Sequence, residues 1–151
     1  MHVVLTTVHH PLPKSLLPLP ANFRHEAYLP GLQMAKRADL LIHHGGYGPC
    51  QTGLYAGKPA VILPTYSERL SNARRMEAAG AALIVSVRRV GGKKQVESEE
   101  LRAAVKRVIA DPVFSANARR LGEKLRSYGG PPRAARLIEE FSQQALILEA
   151  P

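Results

Sequence analysis

Residues 40–64 read Leu40-Leu-Ile-His-His-Gly-Gly-Tyr-Gly-Pro-Cys-Gln-Thr-Gly-Leu-Tyr-Ala-Gly-Lys-Pro-Ala-Val-Ile-Leu-Pro64. A short apolar run, Leu40–His43, ends in a glycine-rich turn, and Pro49 then opens a helical stretch that Gly57 closes. Proline at the first helical position loses nothing, because that N–H has no partner inside the helix. A second apolar run follows at Ala60–Leu63. Runs that are apolar at every position belong to strands covered on both faces, as parallel sheets require. Strand, helix and strand in this order make a βαβ unit.

The same alternation extends in both directions. Val3–Thr7 reads as a strand. The connection from His9 to Asn22 carries Pro11, Pro13, Pro18 and Pro20, which keep it out of helix and central strand. Arg24–Tyr28 reads as the next strand, and Gly31–Ala38 as a short helix with Leu32, Met34 and Ala35 inward. Beyond Pro64, Ser67 is placed to cap a helix that ends at Gly80, and Ala82–Val87 makes a fifth strand. A turn at Gly91–Lys94 leads to a helix capped by Ser98, with Leu101, Val105 and Val108 on one face. Asp111-Pro112 starts a further helix with Phe114, Ala118, Leu121 and Leu125 on one stripe. Pro131-Pro132 starts the last, with Ala134, Leu137, Ile138 and Phe141 turned inward. The pattern predicts an α/β, Rossmann-like fold: five strands in one mainly parallel sheet, flanked by helices. Ligands of such sheets bind beyond the carboxyl ends of the strands, which brings the loops His43–Gly48 and Pro64–Glu68 to one edge.

At 151 residues the chain is expected to be a single domain. Its 45% apolar and 22% charged residues exclude a disordered or fibrous class. One cysteine, Cys50, excludes an internal disulfide framework or a cysteine-cluster zinc site. No apolar run approaches the roughly 20 residues of a membrane span, and the first residues lack the basic flank of a signal peptide. A cytoplasmic protein is expected.

Charge is the unusual quantity. Twenty-one Lys and Arg against twelve Asp and Glu give a net +9. The excess is concentrated in Arg69–Lys94, with seven bases and one acid, and in Leu101–Arg136, with nine bases and two acids. Such a field attracts anions: phosphorylated ligands, nucleic acid or an acidic membrane surface. It equally describes an ordinary solvated surface. The bases are hardly interleaved with aromatic residues, which argues against nucleic acid.

Three groups of residues carry candidate chemistry. The His44–Pro49 turn combines glycines with the positive end of a helix, a combination suited to phosphate. The same glycines would serve a tight strand-to-helix turn that needs φ > 0. Cys50 near that helix start could be activated as a nucleophile. His9, His10, His43 and His44 invite a metal, but adjacent strand residues face opposite ways, so at most one of each pair reaches a common ion.

The run from Ala38 to Gly80 resembles the donor-binding half of GT-B glycosyltransferases of the UDP-glycosyltransferase and macrolide-glycosyltransferase type. The resemblance rests on Ala38-Asp39, on His44-Gly-Gly-Tyr-Gly-Pro-Cys-Gln-Thr-Gly-Leu54, on Gly57-Lys-Pro59, on Ala60–Pro64, on Glu68-Arg-Leu-Ser-Asn-Ala73 and on Gly80. It implies half of a GT-B fold that binds a UDP- or dTDP-sugar for metal-independent hexosyl transfer. His44, Gly45, Gly46, Tyr47, Gly48 and Cys50 would hold the donor diphosphate, Thr52 the ribose, and Glu68 and Arg69 the donor sugar. Asn72 and Pro30 would support them. No metal and no cofactor beyond the nucleotide-sugar substrate is implied. This chain departs from the family motif in three places: Pro49 for Thr, Thr52 for Glu and Arg69 for Gln.

The resemblance also implies that the chain begins at the family's second donor-domain strand. The catalytic base would then come from an N-terminal acceptor domain outside this sequence. Fragment, subunit of a split enzyme and degenerate relative are the three readings. Expected partners are a nucleotide-sugar donor, an acceptor-domain protein and an anionic membrane surface contacted peripherally; nucleic acid is not expected. The rival is a non-catalytic relative or a basic interaction module.

Overall fold

The computed structural model describes residues 1–8 and 10–148. Its centre is a three-stranded parallel sheet of β3 (Leu41–His43), β4 (Ala60–Ile62) and β5 (Ala82–Ile84), in that spatial order. The crossovers are α2 (Tyr47–Tyr55) between β3 and β4 and α3 (Ser67–Ala78) between β4 and β5. β4 lies in the middle, and all three of its residues are fully buried.

Its side chains alternate between two cores, as the two-residue period of a strand demands. Ala60 and Ile62 pack with Cys50, Ala73, Met76 and Ala82 under α2 and α3. Val61 packs on the other face with Val85, Ala104, Val105, Val108 and Phe114. These last four come from α4 (Ser98–Ala110) and α5 (Pro112–Ser127). Asp111 caps α5, its carboxylate accepting from the Val113 amide at 3.0 Å. The α/β class and the inward faces expected of α4 and α5 are therefore observed.

Four expectations need correction. The five parallel strands do not share one sheet. β1 (Val3–Thr6) and β2 (Phe23–Glu26) pair with each other and stand apart from β3–β5. A ladder needs neighbours about 4.8 Å apart, and no strand among the described residues bridges β1 and β3. Val4 and Ile42 consequently stay 44% and 47% exposed.

Second, the basic segment after β5 is not a simple turn. It is an antiparallel hairpin of β6 (Arg88–Val90) and β7 (Lys93–Gln95). Third, Ser67 and Ser98 each lie one residue inside their helices, so neither is a cap; Tyr66 and Glu97 hold those positions. Fourth, the apolar face of α6 (Gly130–Leu148) is not inward. Leu137, Ile138 and Phe141 are exposed, because none of the described elements covers them. α1 (Gly31–Arg37) buries Ala35, as its pattern implied. No helix among the described residues is long and apolar enough to cross a membrane.

α5 is drawn tightly against the end of α2. Gly122 makes this possible: a Cβ there would lie 2.2 Å from the Leu54 carbonyl oxygen. Arg126 fastens the same junction, donating from Nη1 to the Tyr55 carbonyl at 2.6 Å. Replacing Gly122 with Ala is expected to destabilise the chain by about 1–3 kcal/mol, because backbone rather than a flexible side chain must move. Gly48→Ala, in open space, should be neutral or slightly stabilising. Urea denaturation of both variants checks this; equal midpoints would contradict the packing argument.

Candidate functional site at the carboxyl edge of the sheet

The turn that leaves β3 is held from both sides by the residues around it. Gly45 has φ +83°, and a Cβ there would meet the Arg69 carbonyl oxygen and Ile62 Cγ2 at 2.8 Å. The turn thus lies directly on the first turn of α3. Asn72 locks the contact, donating from Nδ2 to the Gly45 carbonyl at 3.1 Å and to Glu68 Oε1 at 2.6 Å. His44–Gly46 and Glu68–Asn72, separated in sequence, become one structure.

The two histidines are used differently. His43 Nδ1 accepts from the Gly45 amide at 3.1 Å, and its Nε2 is buried without a hydrogen-bond partner. Burial first, and then the neighbouring His44, push its pKa down to about 4. His43 is thus a neutral structural group. His44 is exposed, and its Nδ1 accepts from the Gly46 amide at 3.0 Å. A nitrogen that accepts carries no proton, so the neutral ring keeps its hydrogen on Nε2, free to donate outward. The imidazole lies so close over Gly46 that a Cβ there would meet Cε1 at 2.4 Å.

The helix begins two residues earlier than the proline suggested. Gly46 is the N-cap, Tyr47 the first helical residue and Pro49 the third. The amides of Tyr47 and Gly48 have no acceptor within α2, as at any helix start. Pro49 has no N–H to offer. The Cys50 amide already donates to the Gly46 carbonyl at 3.1 Å, so it is not a free donor, contrary to expectation. The Cys50 thiol is also buried, and burial together with the Glu68 charge raises its pKa. Such a thiol stays protonated at neutral pH, and a nucleophilic role is not supported.

The remaining candidates surround this core. Thr52 sits half-buried on α2, where a Cβ on Gly31 would meet its methyl at 4.0 Å. Pro30, the exposed N-cap of α1, is therefore close by. Arg69 donates to Thr65 Oγ1 and stacks on Tyr66, with its guanidinium 4.7 Å from the ring centroid. Lys94 approaches the same ring to 3.8 Å. Among the described residues, no three His, Cys, Asp or Glu side chains converge as a metal site would need; His9 lies outside them.

Tyr66 was not among the sequence candidates, and Arg89 and Lys94 figured only in the basic Arg69–Lys94 stretch, not in the donor site. A signal for them was present: Gly91-Gly92 between Val87–Val90 and Lys93–Val96 is a two-residue hairpin loop. Both glycines have positive φ, as that turn requires.

The depressed pKa of His43 has a consequence for stability. Between about pH 6.5 and pH 4 the unfolded chain binds a proton at this position that the folded chain refuses. Stability therefore falls as pH drops through that window, by up to about 3 kcal/mol from this group, and the loss levels off below it. Denaturant unfolding from pH 7 to pH 3.5 should show a steeper loss for the wild type than for His43→Leu. Parallel curves would mean that His43 is not the responsible group.

Comparison with known proteins places the fold in a family. Residues 2–141 match the family described as Erythromycin biosynthesis protein CIII-like, C-terminal domain. The NDP-glycosyltransferase YjiC of Bacillus subtilis is 30% identical over 135 residues, covering 89% of this chain and 33% of that protein. The calicheamicin glycosyltransferase CalG4 superposes with a TM-score of 0.80 at 29% identity, over 93% of this chain and 34% of the other. The Streptomyces sp. SF2575 glycosyltransferase SsfS6, complexed with thymidine diphosphate, gives a TM-score of 0.67 at 29% identity, over 80% and 30%. The chain spans about a third of the length of the curated relatives it matches. It belongs to the erythromycin biosynthesis protein CIII-like C-terminal domain family, and its fold is the C-terminal half of a GT-B glycosyltransferase.

Proposed function

We propose that the chain binds a nucleoside-diphosphate sugar, UDP- or dTDP-linked, as the donor half of a hexosyltransferase. The observation that carries this reading is the start of α2. There the Tyr47 and Gly48 amides have no acceptor within the helix, and the exposed His44 beside them has its Nδ1 taken by the Gly46 amide, which leaves Nε2 for a ligand. These three donors, aided by the helix dipole, suit a diphosphate. A related glycosyltransferase that carries thymidine diphosphate supports the choice of ligand.

On this reading the other residues take the remaining parts of the donor. Thr52 offers one hydroxyl to the ribose. Glu68, its carboxylate oriented by Asn72, accepts from sugar hydroxyls. Arg69 adds positive charge beside them. The diphosphate charge that grows as the glycosidic bond breaks is met by fixed dipoles and needs no metal in this scheme. The group that deprotonates the acceptor hydroxyl must reach it within hydrogen-bond distance; we assign that group to a partner domain outside these residues.

Isothermal titration tests the donor reading. UDP or dTDP should bind more tightly than the monophosphate, and EDTA should leave the affinity unchanged. His44→Ala should weaken diphosphate binding by about 1–3 kcal/mol while leaving nucleoside binding nearly intact. Pro49→Thr should strengthen it by restoring an N–H and a hydroxyl to the first helical turn. Equal losses for nucleoside and diphosphate in His44→Ala would overturn the clamp. A steep salt dependence without nucleotide preference would point to a basic interaction module instead.

A further inference from the structure

Around Tyr66 lies a group of cations that the diphosphate reading does not use. Tyr66 is 63% exposed, with the Arg69 guanidinium 4.7 Å and the Lys94 ammonium 3.8 Å from its ring centroid. Lys94 comes from the β6–β7 hairpin, where its direct cross-strand partner is Arg89. Directly opposite residues of an antiparallel pair project from the same face, so Arg89 stands beside Lys94 on the face turned to Tyr66.

This arrangement is unfavourable by itself. Like charges directly opposite on a two-stranded ribbon destabilise it, and an isolated hairpin of this length is marginal in water. No acid relieves the repulsion. The hairpin contains none, and the only ion pairs among the described residues are Arg24–Glu26 and Arg102–Glu99. Of the carboxylates on the flanking elements, Glu77 accepts from the Ile84 amide, Glu100 from the Ser86 amide and Glu68 from Asn72, and Glu97 forms no ion pair with the hairpin. The negative face of the Tyr66 ring offsets part of the repulsion and holds the ammonium at the N-cap residue of α3, two positions before Glu68 in sequence.

We propose that Arg69 and Lys94, held on the Tyr66 ring, together with Arg89 opposite Lys94 on the hairpin, form a second anion site that receives a carboxylate or phosphate carried by a substrate. The inference rests on the donor reading above, because Glu68 and Arg69 then border the transferred sugar. The anion belongs either to that sugar, as in a uronate, or to the acceptor docking beside it. Arg69 supplies a planar fork suited to either group, and Lys94 a point charge that the ring holds in place.

The test uses the full chain and its Arg89→Gln/Lys94→Gln double variant, in which exposed residues change and UDP affinity should be unaltered. Titrations with UDP-glucose, with UDP-glucuronate and, at saturating UDP, with methyl phosphate separate the sources. A preference for UDP-glucuronate of fivefold or more that collapses in the double variant places the anion on the donor. No such preference, with methyl phosphate binding the UDP-saturated chain and not the variant, places it on the acceptor. Lys94→Arg should retain most of either effect. Absence of both effects, or their persistence in the double variant, overturns the proposal. If UDP itself does not bind, the donor reading fails; methyl phosphate titrated into the ligand-free chain and variant then tests the cluster separately.

Discussion

The close approach of the β3–α2 turn to the first turn of α3 is the constraint on which the functional edge depends. It leaves no room for a side chain at Gly45, which sits against both the Arg69 backbone and Ile62. Because Ile62 belongs to β4, wholly buried between the two cores, the turn rests on the packed centre of the molecule. Asn72 then ties the Gly45 carbonyl to the Glu68 carboxylate. A buried strand, a glycine with positive φ and one amide side chain therefore position the groups proposed to meet the donor's diphosphate and its sugar. Precise placement of fixed donors is what gives such a site its electrostatic effect.

Adjacent histidines show how environment separates roles within one motif. His43 and His44 each accept a hydrogen bond from the amide two residues ahead. Burial keeps His43 neutral and structural, whereas exposure leaves His44 with a donor facing solvent. The pair also accounts for the use of the backbone: the Gly45 and Gly46 amides are engaged by the imidazoles, which leaves Tyr47 and Gly48 for a ligand. With Pro49 silent and Cys50 bonded to Gly46, the donor set is small.

Much of this was legible in the residues. Continuous apolar runs at Leu40–His43 and Ala60–Leu63 identified parallel strands, although only β4 is buried at every position, while Ile42 of β3 stays exposed at the sheet edge. The stripes of α4 and α5 were legible because their faces are satisfied within the chain. The same logic failed for α6: Leu137, Ile138 and Phe141 have helical spacing, but periodicity does not say what covers a face, and here the described residues do not. The break between β1–β2 and β3–β5 was also invisible, because strand pairing is a long-range property and local pattern is not. In the site, the His-Gly-Gly turn could be read, but the start of α2 could not. Pro49 is compatible with any position of the first turn, and only the Cys50-to-Gly46 hydrogen bond fixes the frame. Lys94 and Arg89 were legible only as part of a basic stretch that attracts anions, because their pairing on a hairpin and the approach of Lys94 to Tyr66 are long-range properties.

The central claim is that a diphosphate is held by the first turn of α2. Amide chemical-shift mapping on the isotopically labelled chain tests it most directly, with UDP and uridine titrated in parallel. The account predicts that UDP shifts the Tyr47 and Gly48 amides most strongly, with smaller changes at Gly45 and Gly46, whose N–H groups already serve the histidines. Uridine should leave Tyr47 and Gly48 nearly unmoved. Shifts of equal size for both ligands at these amides, or UDP shifts confined to residues away from this turn, would contradict it.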